Sequence, residues 1–379
     1  MTAEKEYFIH LLASFLNGTA PKGENVDWQS VYTLAKKHNL CGILMNQIKL
    51  LPPENQPNEN IKSLFNQQLG YAVQADEKRS SALKITDDFL NLNKIDHIFV
   101  KGVTVKNYYP VPALRTSGDI DVILRENTLD GVYKQLKNTD FKIKNYSTNV
   151  INVDIGGVEV EFHSGADLKT PYFDNIFDIS ALKYDYNYSL SEYDELIYVI
   201  CHLCKHLSYR GAGVRMLMDI DAMARGINGF DEEKLMHLAE NAGVLQCTRV
   251  LLSLCKKWFN TPVSADFEID GRLEECFGAV MLDGGSFGYY VNSIPVDSVG
   301  KSRLSTLAKL AFPSREFLKK AYPYYNKNKL LLPVARLNRL LDAVLKKRRQ
   351  ALSSARQVVS RGGNADIQRQ LLTELGLGD

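Results

Sequence analysis

The sequence predicts an α+β protein, with a small mixed β-sheet core flanked by N- and C-terminal helical regions. Three observations predict this. Residues 1–93 place apolar side chains at helical spacing. Residues from 94 to about 165 break into short β-prone runs separated by glycine and proline. From residue 190 onward helical stripes return. The expected division is a helical region over 1–93, a core over 94–189 and a helical domain over 190–379, with no internal repeat.

Each element follows from its own pattern. Ile9, Leu11, Leu12, Phe15 and Leu16 predict a first helix, and the run from Val31 to Leu50 keeps the same period. A polar, proline-bearing loop from Pro52 to Asn60 precedes a further helix that ends near Leu92. Ile95 to Val100 is a β-prone run ending at Lys101-Gly102. Val103 to Tyr109 reads as a brief helix stopped by Pro110 and Pro112. Ile120 to Leu124 predicts a second strand, Asn127 or Thr128 caps a helix through Leu136, and Phe141 to Tyr146 predicts a third strand. Val150–Ile155 and Val158–His163 flank Gly156-Gly157, a two-residue hairpin signal. Leu196, Val199, Ile200, Leu203 and Leu207 then form one apolar helical stripe. Val334 to Arg361 reads as a long basic helix, and the residues after Gly362-Gly363 as a mobile tail.

Composition narrows the class. With 45% hydrophobic and 24% charged residues, the 379-residue chain has the balance of a soluble globular protein. Six cysteines scattered through apolar stretches suit buried thiols better than a disulfide framework. The N-terminus lacks a basic n-region and a long apolar run, and no stretch reaches the ~18 apolar residues of a membrane span. The expected location is therefore cytoplasmic, with no membrane partner.

The chemistry concentrates in Ser117-Gly118-Asp119-Ile120-Asp121-Val122-Ile123-Leu124. Side chains alternate along a strand, so Asp119 and Asp121 share one face and Ile120, Val122 and Leu124 the other. Two adjacent carboxylates repel unless a cation or proton lies between them. Mg²⁺, held by carboxylates and substrate phosphates, resolves that repulsion. A two-residue turn at Gly156-Gly157 pairs Ile155 with Val158 and Val153 with Val160. Asp154, Glu159, Glu161 and His163 then oppose an apolar face of Ile151, Val153, Val158, Val160 and Phe162. A third acid thus approaches the Asp pair, and alternation alone does not decide between Glu159 and Glu161.

This arrangement resembles the nucleotidyltransferase superfamily with the DNA-polymerase-β-like core. It is most similar to the bacterial uncharacterised nucleotidyltransferase family, whose pattern here reads Lys101-Gly102, Tyr109-Pro110-Val111-Pro112, Arg115, Asp119-Ile120-Asp121 and Glu161-Phe162-His163. The likeness continues through His202-Leu203-Cys204-Lys205-His206, Arg215 and Asp219-Ile220, and spans about residues 95–225. It implies transfer of a nucleotide from an NTP, such as ATP, to an acceptor. Asp119, Asp121 and Glu161 would be the catalytic metal ligands for Mg²⁺ or Mn²⁺, and Lys101, Gly102, Arg115, His163, His202, Lys205 and His206 would contact nucleotide or acceptor. Glu161 rather than Glu159 matches the acid of the acid-hydrophobic-His strand. One departure stands out: Val103 follows Gly102 where the wider superfamily carries a hydroxyl or a second glycine. Phosphate grip then falls to backbone N–H groups with Lys101 or Arg115.

The remaining motifs are less specific. Cys201-His202-Leu203-Cys204-Lys205-His206 lacks the glutamate of a zinc protease and the Cys-His pair of a haem site, so it reads as a cleft wall. Arg215 and Asp219 are spaced to pair along a helix. The basic run from Arg336 to Arg361 is compatible with a polyanion such as RNA, but without an RNA-binding motif it reads as a solvated helix face. A catalytically silent nucleotide-binding or regulatory module is the alternative to an active transferase. Neither the acceptor nor the oligomeric state is encoded in any motif.

Overall fold

A cap or turn residue marks most boundaries of the first half of the chain in a computed structural model, which describes residues 1–168, 170–209, 211–285 and 371–377. Helix α1 (Ala3–Leu16) begins where the Thr2 hydroxyl accepts from the Lys5 N–H. The apolar run expected from Val31 to Leu50 is two helices, α2 (Trp28–His38) and α3 (Cys41–Ile48). Asn39, in the left-handed conformation at φ 57°, ends α2 after three basic residues, as a helix C-terminus favours. Asn58 caps α4 (Glu59–Leu92), a helix of 34 residues that ends where the sequence places its end.

The core follows as β1 (His97–Val100), a short α5 (Gly102–Val105), β2 (Asp119–Leu124), α6 (Leu129–Leu136), β3 (Lys142–Tyr146), β4 (Val150–Ile155) and β5 (Val158–His163). Thr128 occupies the cap position of α6, but its side chain caps nothing and donates instead to the Arg125 carbonyl. Gly156 and Gly157 both have positive φ, 61° and 82°, as the tight hairpin turn requires, and Ile155 pairs with Val158 as expected.

Two further strands, β6 (Ser180–Tyr184) and β7 (Asn187–Leu190), extend the sheet where the sequence showed no strand signal. Among the described residues the order is β3-β4-β5-β2-β1-β7-β6 in one seven-stranded mixed sheet. β7 lies parallel to β1 and is pinned through Asp87 of α4, which accepts from His97, Tyr184 and Asn187.

Each sheet face packs on its own helices. Ile120, Val122 and Leu124 join Ile151, Val153, Val160 and Phe162 beneath α4 and α6. On the other side Ile98, Val100 and Ile123 share a core with α1–α3 and with α7 (Glu192–Tyr209), α8 (Val214–Gly226), α9 (Glu232–Asn241) and α10 (Leu245–Phe259). Each large side chain so buried contributes roughly 1.5–3 kcal/mol. The six cysteines are free and buried, and no described helix is long and apolar enough to cross a membrane.

The basic helix expected over 334–361 lies outside the described residues. Part of the tail read as mobile is instead packed. Residues 371–374 are helical, and Leu371, Leu372 and Leu375 are buried, because their helical spacing presents one apolar edge to the core.

Candidate active site

The strand register brings the acids together. β2 and β5 run side by side and parallel, so Asp119 lies opposite Glu159 and Asp121 opposite Glu161. Asp121 sits at the C-terminal end of neighbouring β1, paired with Val100, directly beside the turn at Lys101. These residues face a cleft of about 770 Å³, within the usual size of small-molecule sites. Asp119, Asp121, Glu161 and His163 line its floor, with Lys101, Gly102 and Arg115 at one side. His202, Lys205 and His206 of α7 form the facing wall, joined by Arg215 and Met216 of α8. All ten residues singled out from the sequence therefore meet at one cavity.

Glu159 does not line that cleft. It accepts from Lys144 at 3.1 Å and from Asn152 at 3.0 Å on the outer strands. Glu161 does line it. One donor atom each from Asp121, Glu161 and His163 lie within 4.8 Å of one another. Asn152, directly across β4 from Glu161, donates to its Oε1 at 2.7 Å and was not anticipated. The hairpin register would have placed it there.

The electrostatics are those of crowded acids met by cations. Lys101 Nζ lies 2.6 Å from Asp121 Oδ1, and His163 Nε2 approaches the same oxygen at 3.1 Å. Burial would raise the Asp121 pKa, yet Lys101 and these hydrogen bonds hold it well below the usual carboxylate range. Burial likewise opposes the charged forms of Lys101 and His163, and their acidic partners raise both. Asp119 remains open at the cleft mouth. Enclosure of its carboxyl by the protein, and then the neighbouring Asp121 charge, raise its pKa, while Lys101 and Arg215 oppose that rise. Oxygen donors under such repulsion suit a divalent cation.

Backbone geometry shapes the turn. Lys101 holds φ 62° and ψ −121°, a conformation rare outside glycine. Gly102 is required by close approach: a Cβ there would lie 2.7 Å from Arg115 Nη1 and 3.0 Å from Ser117 Oγ. Ser117 thereby brings a hydroxyl to the glycine turn from the opposite side, although Val103 supplies none.

One sequence expectation changes. Arg215 and Asp219 do not pair. Arg215 donates to the Thr116 carbonyl at 2.8 Å, while Asp219 receives a two-pronged bond from Arg115 at 3.0 and 2.6 Å and a third from the Tyr109 hydroxyl at 2.6 Å. The Arg115 fork matches a carboxylate plane better than a helical i,i+4 contact does. Arg115 is thus engaged with Asp219 while still bordering the cleft. Burial, followed by the neighbouring Arg115 charge, pushes the Arg215 pKa down to about 10.

The facing wall is similarly tied. Lys205 bonds Asp167 at 2.6 Å, and the His202 and His206 rings stand 4.5 Å apart. Burial, then the Lys101 charge, hold the His202 pKa well below its ordinary value, so His202 is neutral at pH 7. Arg79 of α4 also supports the site unannounced by any motif: its Nη1 donates to the Ser117 carbonyl at 2.8 Å, just before Asp119.

No curated protein and no solved structure matches the chain. A family model described as uncharacterised nucleotidyltransferase matches residues 24–260, which takes in α2 through α10 and every residue of the cleft. The chain belongs to that nucleotidyltransferase family.

Proposed function

We propose that the chain transfers an NMP from an NTP to an acceptor within the cleft, using the DNA-polymerase-β-like arrangement of acids. The observation that carries this reading is the convergence of Asp121 and Glu161 from adjacent strands onto one cavity, with Asp119 at its mouth. In the reaction an acceptor oxygen attacks the α-phosphorus in line. The bond from that phosphorus to the β-bridging oxygen breaks, and pyrophosphate leaves with the bond electrons. Glu161 accepts the acceptor proton. Asp119, Asp121 and Glu161 would hold Mg²⁺ or Mn²⁺, whose bound charge offsets that developing on the phosphoryl oxygens.

The chain's own residues perform the positioning. Lys101, which holds Asp121 at 2.6 Å, would also contact a phosphate, and Ser117 would offer the hydroxyl that residue 103 does not. Lys205, His202 and His206 border the remaining volume, where an acceptor of small-molecule, sugar, protein or RNA origin would enter. The organisation we infer is a helical region over 1–93, a transferase core over 94–189 and a helical domain over 190–379, whose α7 and α8 border the cleft.

Incubation with each α-labelled NTP, Mg²⁺ and a cell extract tests the proposal. Label carried into a product by wild type but not by Asp121→Asn supports it. Binding of Mg·NTP with no labelled product under any nucleotide would instead establish the silent binding module.

A further inference from the structure

The acid cluster contains a donor that Mg²⁺ does not call for. His163 Nε2 lies 3.1 Å from Asp121 Oδ1 and 3.4 Å from Glu161 Oε2. Ligands at neighbouring corners of an octahedron, each ~2.1 Å from the ion, stand about 3 Å apart. Two sides of the donor triangle, 3.1 and 3.4 Å, are close to that spacing and the third lies within 4.8 Å, with Lys101 Nζ also on Asp121 Oδ1 at 2.6 Å, to be displaced from it by a bound cation. Backbone pairing sets it: Asp121 is opposite Glu161, and Ile123 opposite His163, on adjacent parallel strands. Asn152 holds Glu161 Oε1 from outside, while Oε2 is the oxygen nearest His163. The His163 side chain is only 13% exposed, so its ring stays in the cleft rather than in solvent. Asp119 is not a member of this tight group.

We propose, building on the transferase reading above, that Asp121, Glu161 and His163 form a mixed imidazole–carboxylate site that prefers Mn²⁺ over Mg²⁺. Mg²⁺ is held almost wholly by oxygen and keeps several waters. An imidazole nitrogen instead favours first-row transition ions, of which Mn²⁺ is also at home with carboxylates and phosphates. The same geometry has a competing assignment, in which His163 is an imidazolium bridging two acids. The two differ in sign. A ligand histidine strengthens cation binding, whereas an imidazolium competes with the cation, and its removal tightens binding.

The test uses metal-stripped full-length wild type, His163→Gln and His202→Gln, each titrated calorimetrically with Mn²⁺ alone and with Mg²⁺ alone. Pulsed EPR of the bound Mn²⁺ then reads nitrogen coupling directly. Partners of a ligand are themselves worth about 10–100-fold in affinity, so loss of the ligand should cost at least about 10-fold. The expected result is Mn²⁺ binding at least about 10-fold tighter than Mg²⁺ in wild type. That preference, together with the ¹⁴N coupling, is lost in His163→Gln and kept in His202→Gln. Unchanged or tighter Mn²⁺ binding by His163→Gln overturns the proposal. If His163→Gln does not fold, wild type and His202→Gln labelled with ¹⁵N-histidine decide it: conversion of the ¹⁴N signal to ¹⁵N supports nitrogen ligation, and no nitrogen coupling overturns it. The transferase reading is scored separately. Labelled product with a nitrogen-free Mn²⁺ spectrum removes the histidine site and leaves the transferase. A nitrogen-coupled Mn²⁺ with no product under any NTP does the reverse.

Discussion

Replacing Asp219 with alanine should destabilise the fold more than any other single change near the cleft, because of what it leaves behind. The carboxylate accepts three bonds, from Arg115 Nε at 3.0 Å, Arg115 Nη2 at 2.6 Å and the Tyr109 hydroxyl at 2.6 Å. The paired side chains are 8% and 6% exposed, so water cannot take over. Removing one partner of a buried pair costs about 3–5 kcal/mol, mostly the penalty of an uncompensated charge. Against a typical stability of about 5–15 kcal/mol this is a large fraction. Replacing both partners by apolar residues of similar shape, Arg115→Met with Asp219→Leu, removes the stranded charge and should recover all but about 1–3 kcal/mol, the cost of the Tyr109 hydroxyl left without its acceptor. Urea unfolding followed by circular dichroism measures all four members of the cycle. A loss below about 1 kcal/mol for Asp219→Ala, or a double variant as unstable as the sum of the singles, would refute the reasoning. The cycle also weighs two roles for Arg115. A primary phosphate ligand would, on Arg115→Met, lose NTP affinity with little change in stability, whereas the buried fork predicts the opposite order.

Asp121→Asn should lower NMP transfer at least about 100-fold, as loss of a preorganised charge does, with an unchanged far-ultraviolet dichroism but a lowered melting temperature, because Lys101 loses its 2.6 Å charge partner. Gly102→Ala should cost about 1–3 kcal/mol in thermal unfolding, since the new methyl meets Arg115 and Ser117 inside contact distance. An unchanged melting temperature would show that the turn yields freely. His38 supplies a pH dependence. Burial lowers its pKa to about 4, and its Nε2 bonds the Leu282 carbonyl at 2.8 Å. The folded state keeps this ring neutral while the unfolded chain takes a proton near pH 6.5. Its contribution to stability is complete above that pH and is lost as pH falls from about 6.5 to about 4, by roughly 3 kcal/mol in all. His38→Gln should remove that part of the acid sensitivity, and identical pH slopes for the two proteins would contradict the assignment.

The legible parts of the fold were those written in local pattern. Gly156-Gly157 dictates a two-residue turn, the turn dictates register, and register separates the face of Val153 and Val160 from that of Glu159 and Glu161. The break at Asn39 was missed: the apolar period from Val31 to Leu50 hid the helix C-terminus that Lys36, Lys37 and His38 followed by asparagine mark. β6 and β7 left no such trace. Their turn at Asp185-Tyr186 lacks glycine, and most of β6 is exposed, so no alternation of apolar and polar residues marks it. What docks the pair is Asp87, about 100 residues earlier in the chain.

The site divides along the same line between local and long-range. Asp119 and Asp121 were legible because one strand places both, and alternation is a property of the strand alone. Glu161 was narrowed to one of two by the hairpin and chosen over Glu159 by the resemblance to an acid-hydrophobic-His strand; the parallel register that sets Glu161 against Asp121 and Glu159 against Asp119 is a pairing that no local rule supplies. Arg115 shows how far local reading reaches. Four residues before two acids, it invites a phosphate role, yet its closest bonds run to Asp219, 104 residues away. That bond joins the loop leading into Asp119 to α8, which also carries Arg215, so the segment before the acids is held from the opposite wall of the cleft. Moving either wall therefore changes both the volume left for substrate and the position of Asp119. The width of the cleft and the position of Asp119 are then tied through the Arg115–Asp219 pair, and neither is encoded in any single stretch of sequence.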